Sequence, residues 1–344
     1  MIERKAHKKC IIQVGAKTLR DILNSVGESV SPSRKEISDK TSYTQVTVGK
    51  VFDAVCALSL ASKEIRKPSH GGRVCAHLNY SDDINLLVID LSSRYFCMSV
   101  MSLSLKVRHR FSYTYSDVLR YEENLLKFLT FGLQEMKNHI SDISACVLIA
   151  ENADRVCRHD TYAYMPLAAS NIPQIKKLIS DVLGFPPDIT VSPEIAIKQY
   201  LMSIEGGADS GYILIGNTLS MCYLSRVGNI SVCNPWDLIV DGKPLWKYIS
   251  TSCEIDVIYT AAAKLVNTLD CAFSPRHIYL QSDSYALGDA FVGIVSGYLS
   301  QVCPAKSTIH ICRSALPIQL TGAAVLLRKH LLRRLIVSTE GDKR

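Results

Sequence analysis

Apolar residues recur at helical spacing in three short segments near the start of the chain. The first predicted helix covers residues 17–25. The second begins at residues 33–36, where a serine and a glutamate three positions apart match a capping box, and it ends near Thr41. A third helix is expected from about Thr44. Its buried side is predicted to hold Val46, Val48, Val51, Phe52, Val55 and Leu58.

A hairpin is predicted directly after these helices. Residues 65–74 alternate in a way that favours two short strands around the turn Gly71-Gly72. Three helices followed by a hairpin is the order of a winged helix-turn-helix, in which the start of the last helix reaches base edges in the major groove. A three-helix unit with a hairpin can also bind another protein, so the pattern alone leaves that alternative open.

From about residue 83 the pattern changes to buried strands and amphipathic helices. Residues 84–91 form a continuous apolar run that ends in an aspartate, as in a strand covered on both faces. Further strands are predicted at residues 95–103, 106–113, 145–150, 188–192, 212–215, 221–226 and 277–281. Helices are predicted at residues 116–140, 172–183, 194–204, 245–269 and 285–302, with a last one around 320–327. The second half therefore repeats the order of the first, which predicts an α/β fold.

The positive charge of the chain is concentrated at its start. The 344 residues carry a net charge of +7, and residues 1–80 hold 14 Lys and Arg against 7 Asp and Glu. The remaining residues hold 25 of each, so they are neutral. A basic module attached to a neutral body is typical of a protein that binds a polyanion. With the predicted hairpin, this distribution favours DNA binding over a protein-binding module.

The cysteine content predicts neither disulfides nor a metal site. The twelve cysteines are scattered, and none forms a CxxC pair or a cluster with histidine. They are interpreted as small buried residues in a reducing cytoplasm. No membrane span and no signal peptide is predicted, because no apolar run is long enough. The expected location is cytoplasmic, with no cofactor and no metal.

Polar and basic side chains at the predicted helix-turn-helix and hairpin tip are the candidates for DNA contacts. Glutamine can bond adenine in a bidentate fashion, threonine can meet a thymine methyl, and lysine and arginine serve phosphates or guanine. The candidate DNA-binding residues are Arg34, Lys35, Tyr43, Thr44, Gln45, Thr47, Lys50, His70 and Arg73.

The chain resembles the ROK family of repressors and sugar kinases. The resemblance rests on the order of SRKEIS, TQVTVGKVFDAV, SHGGR and NLLVIDLSS in the first 93 residues, and it is looser beyond them. It is most similar to the transcriptional repressor branch, typified by the N-acetylglucosamine and xylose repressors. The resemblance implies a winged helix-turn-helix followed by a two-lobed, actin-like (ribonuclease-H-like, sugar-kinase-like) body. It also implies a homodimer or a dimer of dimers.

The motifs that a kinase of this family would need are degenerate. The first phosphate turn keeps Asp90 but has lost its glycines, and the second, residues 216–220, retains one glycine. Where the family has Asn-Asp, with Asp as the catalytic base, the chain has Ser192 and Pro193, and Glu194 is shifted by one position. The sugar-binding and zinc motifs are not found in residues 227–236. We therefore expect no enzymatic activity.

These observations predict a sequence-specific DNA-binding transcriptional regulator with a catalytically inactive body, and the resemblance implies that the regulator is a repressor. The alternatives are an active carbohydrate kinase that retains a DNA-binding domain and a pure interaction protein. The predicted domains are residues 1–80 (DNA-binding), 81–195 and 196–313 (two kinase-like lobes) and 314–344 (a helix packing back on the first lobe). The predicted partners are a double-stranded DNA operator and a carbohydrate-like effector. The sequence does not assign an effector site, although the polar side chains of Glu151, Asp154 and Asn171 could line one. A separate basic cluster lies at residues 328–334, and we expect it to be a solvated helix end.

Overall fold

The chain divides into two compact units in the structure, which is a computed structural model. The first unit comprises Met1–Gln199 with Leu320–Arg344, and the second comprises Tyr200–Gln319. The structure describes residues 3–5, 7–66, 75–92, 95–114, 116, 120–137, 140, 142–150, 172–204, 209–215, 220–233, 239–240, 243–244, 255–282, 289–302, 307–312 and 318–339.

The first unit opens with the three helices and the hairpin that the sequence predicts. Its first elements are β1 (Glu3–Arg4), β2 (Cys10–Ile12), α1 (Ala16–Glu28), α2 (Arg34–Thr41), α3 (Gln45–Ala57), β3 (Ala61–Arg66) and β4 (Cys75–Tyr80). The strands β3 and β4 pair antiparallel from Ala61↔Tyr80 to Arg66↔Cys75. The hairpin is therefore longer than predicted, because its strands lie on either side of the 65–74 segment; residues 67–74 lie outside the described residues.

A five-stranded sheet forms the rest of the first unit. The elements are β5 (Asn85–Asp90), β6 (Tyr95–Ser102), β7 (Val107–Thr114), α4 (Tyr121–Lys137), β8 (Asp142–Ile143), β9 (Ala145–Ile149), α5 (Ile172–Leu183), β10 (Ile189–Val191) and α6 (Pro193–Ser203). The sheet order is β10-β9-β5-β6-β7, and the short β8 pairs with β1. The strands β5 and β9 are buried along their whole length, and α4 and α5 pack in the same core. This burial explains the unbroken apolar runs in the sequence.

The second unit contains a sheet of the same order. Its elements are β11 (Ser210–Ile215), β12 (Ser220–Leu224), β13 (Ile230–Cys233), β14 (Ile239–Val240), β15 (Lys243–Pro244), α7 (Ile255–Phe273), β16 (His277–Ser282), α8 (Asp289–Val302) and β17 (Thr308–Ile311). The sheet order is β13-β12-β11-β16-β17. In both sheets the three strands that come first along the chain pair antiparallel. The fourth strand then pairs in parallel with the first, and the fifth pairs in parallel with the fourth. The two halves of the body are therefore copies of one topology.

The last helix belongs mostly to the first unit. Helix α9 (Ile318–Leu335) is followed by β18 (Ile336–Ser338), which pairs in parallel with β2 near the start of the chain. The predicted helix at residues 320–327 thus extends to Leu335, because its apolar positions continue through Leu331, Leu332 and Leu335, which are buried. Among the described helices, none is both long and apolar enough to cross a membrane.

Candidate nucleic-acid interface

Helix α2 is fixed at its start by a complete capping box. The Glu36 backbone N–H donates to Ser33 Oγ at 3.1 Å, and the Ser33 N–H donates to Glu36 Oε2 at 3.4 Å. These bonds satisfy backbone donors that a helix start leaves free. The helix ends at Ser42, whose φ of 61° turns the chain sharply into the next helix. The prediction of this short capped helix is confirmed.

The turn between α2 and α3 is held by side chains of both neighbouring helices. Ser38 Oγ donates to the Tyr43 carbonyl at 2.6 Å, and the Tyr43 hydroxyl donates to Asp21 Oδ2 on α1 at 2.9 Å. The hydroxyl of Tyr43, which was predicted to contact DNA, is therefore hydrogen-bonded to α1 within the protein. This arrangement fixes the direction in which α3 leaves the turn.

Helix α3 is capped by two of the predicted DNA-binding residues. The Thr47 N–H donates to Thr44 Oγ1 at 3.2 Å, and the two threonine hydroxyls lie 3.0 Å apart. Both hydroxyls are thus engaged at the start of the helix. Gln45 and Lys50 are exposed, so both side chains are accessible to solvent.

One expectation about α3 is wrong. Val46 was predicted on the buried side, but it is 74% exposed, and Leu58 is only half-buried. The buried face is formed by Val48, Gly49, Val51, Phe52, Ala54 and Val55. The error arises because Val46 lies two positions before Val48, and a helix rotates those two positions by about 200°.

The basic side chains of α2 differ in their exposure to solvent and in their contacts with the rest of the protein. Lys35 on α2 is exposed. The Arg34 guanidinium instead lies over Gly49 of α3, and its Nη2 is 3.7 Å from Asp53 Oδ1. Asp53 also bonds Lys63 of the hairpin. Arg34 and Lys63 therefore join α2, α3 and β3 through one carboxylate.

The hairpin is docked on the start of α2. The Leu78 N–H donates to the Pro32 carbonyl at 2.9 Å, and His77 Nδ1 lies 3.2 Å from the Ser31 carbonyl oxygen. Leu78 itself is fully buried. The hairpin thus has a fixed position beside α3. The predicted contacts His70 and Arg73 lie outside the described residues.

Helix α9 supplies an attachment for this part of the chain that the sequence analysis missed. Arg328 is fully buried, and its guanidinium donates to the carbonyl oxygens of Gly27 at 2.9 Å, Leu103 at 3.1 Å and Ser29 at 3.1 Å. It also lies 4.3 Å from the centre of the Tyr80 ring. The last carbonyl groups of a helix such as α1 have no hydrogen-bond donor within that helix. The Arg328 guanidinium supplies donors to them, and its positive charge interacts favourably with the negative end of the helix dipole.

Lys329 forms a second buried contact with the end of α1. Its Nζ donates to Glu28 Oε1 at 2.7 Å and to Gln199 Oε1 at 3.0 Å, while Lys40 donates to the other Glu28 oxygen at 2.8 Å. The expectation that residues 328–334 form a solvated helix end is wrong for Arg328 and Lys329. Nothing local in the sequence signals it, because Glu28 and Lys329 are 301 residues apart.

The described residues that were compared above with kinase motifs have the following local surroundings. Asp90 is 2% exposed, and its Oδ1 accepts hydrogen bonds from the Ser92 N–H at 2.9 Å and the Ser92 hydroxyl at 2.6 Å. Ser192 precedes α6, and Pro193 is the first residue of that helix, where a missing N–H costs nothing. Glu194 is half-buried in its first turn. Residues 216–219 and the candidates Glu151, Asp154 and Asn171 lie outside the described residues.

The cysteines and potential metal ligands show no metal cluster in the described part of the chain. There, no group of three or more His, Cys, Asp or Glu side chains is arranged to hold a metal ion. Cys97, Cys146 and Cys222 are buried, as predicted, but Cys271 is exposed. Burial raises the pKa of the Cys97 and Cys146 thiols, and raises that of Cys312 to about 11.

Solved structures similar to this one include a transcriptional regulator and a sugar kinase. A ROK family transcriptional regulator, a homologue of the E. coli MLC protein, matches 92% of this chain and 97% of its own, with 14% identity and a TM-score of 0.55. An inorganic polyphosphate/ATP-glucomannokinase from Arthrobacter sp. strain KM matches 71% of this chain and 98% of its own, with 14% identity and a TM-score of 0.50. No family model and no curated protein sequence matches the chain.

These similarities establish the fold. The chain has the mixed α/β, actin-like fold of the ROK regulators and sugar kinases, preceded by three helices and a β-hairpin. The predicted fold class is confirmed. The duplicated sheet order in the two units is the structural basis of that assignment.

Proposed function

We propose that this chain is a sequence-specific DNA-binding transcriptional regulator that acts as a repressor. The observation that carries the proposal is the exposure of Gln45 in the first turn of α3, of Lys50 in its second turn and of Lys35 on α2, within the 80 residues that account for the net charge of +7. The start of the last helix is where a winged helix-turn-helix reads base edges. The match with the regulator over 92% of this chain supports the same function.

In this proposal residues 1–80 bind a double-stranded operator and the body supplies dimerisation and effector sensing. A homodimer, or a dimer of dimers, reads a two-fold operator. The lobes are residues 81–195 and 196–313, and residues 314–344 return to the first lobe. The effector is carbohydrate-like. Phosphoryl transfer is not part of the function, because Pro193 stands at the position of the base and Asp90 is engaged by Ser92.

The first test is selection of genomic DNA fragments by the full-length protein at about 0.15 M salt, where non-specific phosphate binding is weak. We expect a few fragments that share an inverted repeat. Salt-insensitive association without preference among fragments would identify an interaction protein instead. ATP turnover with a hexose or amino sugar that is abolished by Glu194→Gln would show that the chain is a kinase.

The phosphate contacts are tested by removing one exposed lysine. Lys35→Gln should weaken binding to all DNA sequences and reduce the slope of log affinity against log salt by about 0.9 per lost phosphate contact. The control is Lys127→Gln on α4, which removes the same charge from an exposed position outside the proposed interface. An equal loss of DNA affinity in both variants would mean that binding depends on the net charge of the protein and not on a contact of Lys35 with a phosphate.

The base contact is tested separately at Gln45. Gln45→Ala should cost about 1–3 kcal/mol at one base pair of the selected operator and leave non-specific binding unchanged. A uniform loss across all sequences would contradict a role for Gln45 in reading bases.

A further inference from the structure

Val46 is an apolar side chain that the described part of the fold leaves largely exposed. It is the second residue of α3 and is 74% exposed. Valine is β-branched and a poorer helix former than the straight-chain residues, so an exposed helical position does not favour it for local reasons. The residue therefore adds little to the stability of the helix that carries it.

Its neighbours on the helix place Val46 in the centre of the exposed face. At about 100° per residue, Gln45, Val46 and Lys50 lie within an arc of about 140°, with Val46 between the other two. The hydroxyls of Thr44 and Thr47 are bound to each other and to the helix start. Gln45 and Val46 are thus the exposed side chains of the first turn.

The surroundings of Val46 fit a nucleic acid better than an apolar protein surface. A single valine between a glutamine and a lysine is far smaller than the contiguous patches that dock proteins. Lys35 and Lys50 are exposed on the same pair of helices, and residues 1–80 carry the whole net charge of +7. The major groove offers such a surface one apolar group, the C5-methyl of thymine.

We infer that Val46 determines specificity by contacting the C5-methyl group of a thymine in the major groove, beside the base pair that Gln45 reads. The inference rests on the proposed function and adds one base preference to it. A half-site of the operator then contains a thymine at this position, and the discrimination comes from burying one methyl group rather than from a hydrogen bond.

The experiment replaces each thymine of a selected operator, one at a time, with deoxyuridine, which lacks only the C5-methyl group. Affinities are measured for the wild type, for Val46→Ala and for Val227→Ala, in which the same side chain is shortened at an exposed position of the second unit. For the wild type and Val227→Ala we expect about a fourfold loss at one thymine per half-site, the value for one buried methyl-sized group. Val46→Ala should bind the thymine and deoxyuridine duplexes equally at that position.

Two results would overturn the inference and leave the proposed function intact. One is that the wild type binds every deoxyuridine duplex as well as the parent operator. The other is that Val46→Ala keeps the wild-type sensitivity to the methyl group. Failure to select any DNA fragment is a different outcome, because it overturns the proposed function and the inference together before any deoxyuridine is introduced.

Discussion

Arg328 places a positive charge where the first unit excludes water. Burial lowers its pKa, and Tyr80, whose own pKa is raised by burial to about 12, lies against it. The cost of burying the guanidinium is offset by its hydrogen bonds to backbone carbonyls at the end of α1 and at Leu103. A residue of this kind is needed because those carbonyls would otherwise be buried without partners.

Arg328→Met should therefore lower the free energy of unfolding by about 3 kcal/mol or more, since each carbonyl left unpaired costs about 1–3 kcal/mol. Urea denaturation of the full chain measures it. The control is Arg120→Met at an exposed position of the same unit, where we expect a change within about 0.5 kcal/mol. Similar losses in the two variants would show that the buried contacts do not stabilise the unit.

Glu28 is the carboxylate that balances Lys329 and Lys40. Burial alone would raise its pKa, but the hydrogen bonds and charges of Lys329 and Lys40 outweigh that effect and hold the pKa below the ordinary value of 4.5. Burial lowers the pKa of Lys329, and the bond to Glu28 partly restores it. Glu28 is thus ionised at neutral pH.

Stability should fall as the solution is acidified below about pH 4.5, because the unfolded chain then binds a proton at Glu28 more readily than the folded protein does. Glu28→Gln should be less stable at neutral pH and should show a flatter decrease in acid. Urea midpoints between about pH 3 and pH 7 measure both effects. Glu122→Gln, at an exposed position of α4, should keep the wild-type profile; a flattening there as well would point to a general charge effect.

At the scale of helices, two glycines differ in how closely a neighbouring helix approaches them. A Cβ atom added at Gly27 would lie 2.5 Å from Lys329 Cγ and 3.2 Å from Lys329 Cα. At Gly49 the nearest atom would be Cζ of the Arg34 side chain, at 3.4 Å. The first glycine is required by the packing of two helices, whereas the second faces one long side chain.

Gly27→Ala should destabilise the chain by about 1–3 kcal/mol, because α9 or Lys329 must shift. Gly49→Ala should be neutral or stabilising by up to about 1 kcal/mol, since alanine is the better helix former. The two substitutions are chemically identical, so thermal unfolding of both compares packing directly. Equal effects would contradict the close approach of α1 and α9.

The sequence predicts these elements well where their signals are local. The capping box at Ser33, the turn near Thr41 and the continuous apolar run of β5 all lie within a few residues of the structure they specify. The hairpin strands were placed too close to the turn, because the Gly-Gly signal marks the tip and says little about strand length. β13 and β17 were missed, since both are only four residues long.

Within the candidate interface, residue type was easier to predict than orientation. Gln45 and Lys50 were placed on the exposed face, and the structure confirms their exposure. Val46 was placed on the buried face because valine usually is buried, and only the rotation of the helix corrects this. The role of Arg328 could not be predicted, because it depends on a contact between parts of the chain about 300 residues apart.

On the scale of the whole molecule, the repeated order of strands and helices was the strongest signal. It predicted two units with one topology, and both sheets have it. The sequence did not predict that the first unit would close with β18 pairing to β2. The helices of the proposed DNA-binding part therefore share a unit with residues from the far end of the chain.

That closure has a consequence for how the protein is made. The helices that carry Gln45 and Val46 leave the ribosome early, but the arginine that holds the end of α1 follows 301 residues after Gly27. At the usual about 5–20 residues per second, the nascent chain waits about 15–60 seconds for it. A truncated translation product would therefore carry α1, α2 and α3 without the hydrogen bonds of Arg328 to the end of α1, and these bonds form only once synthesis has passed α9.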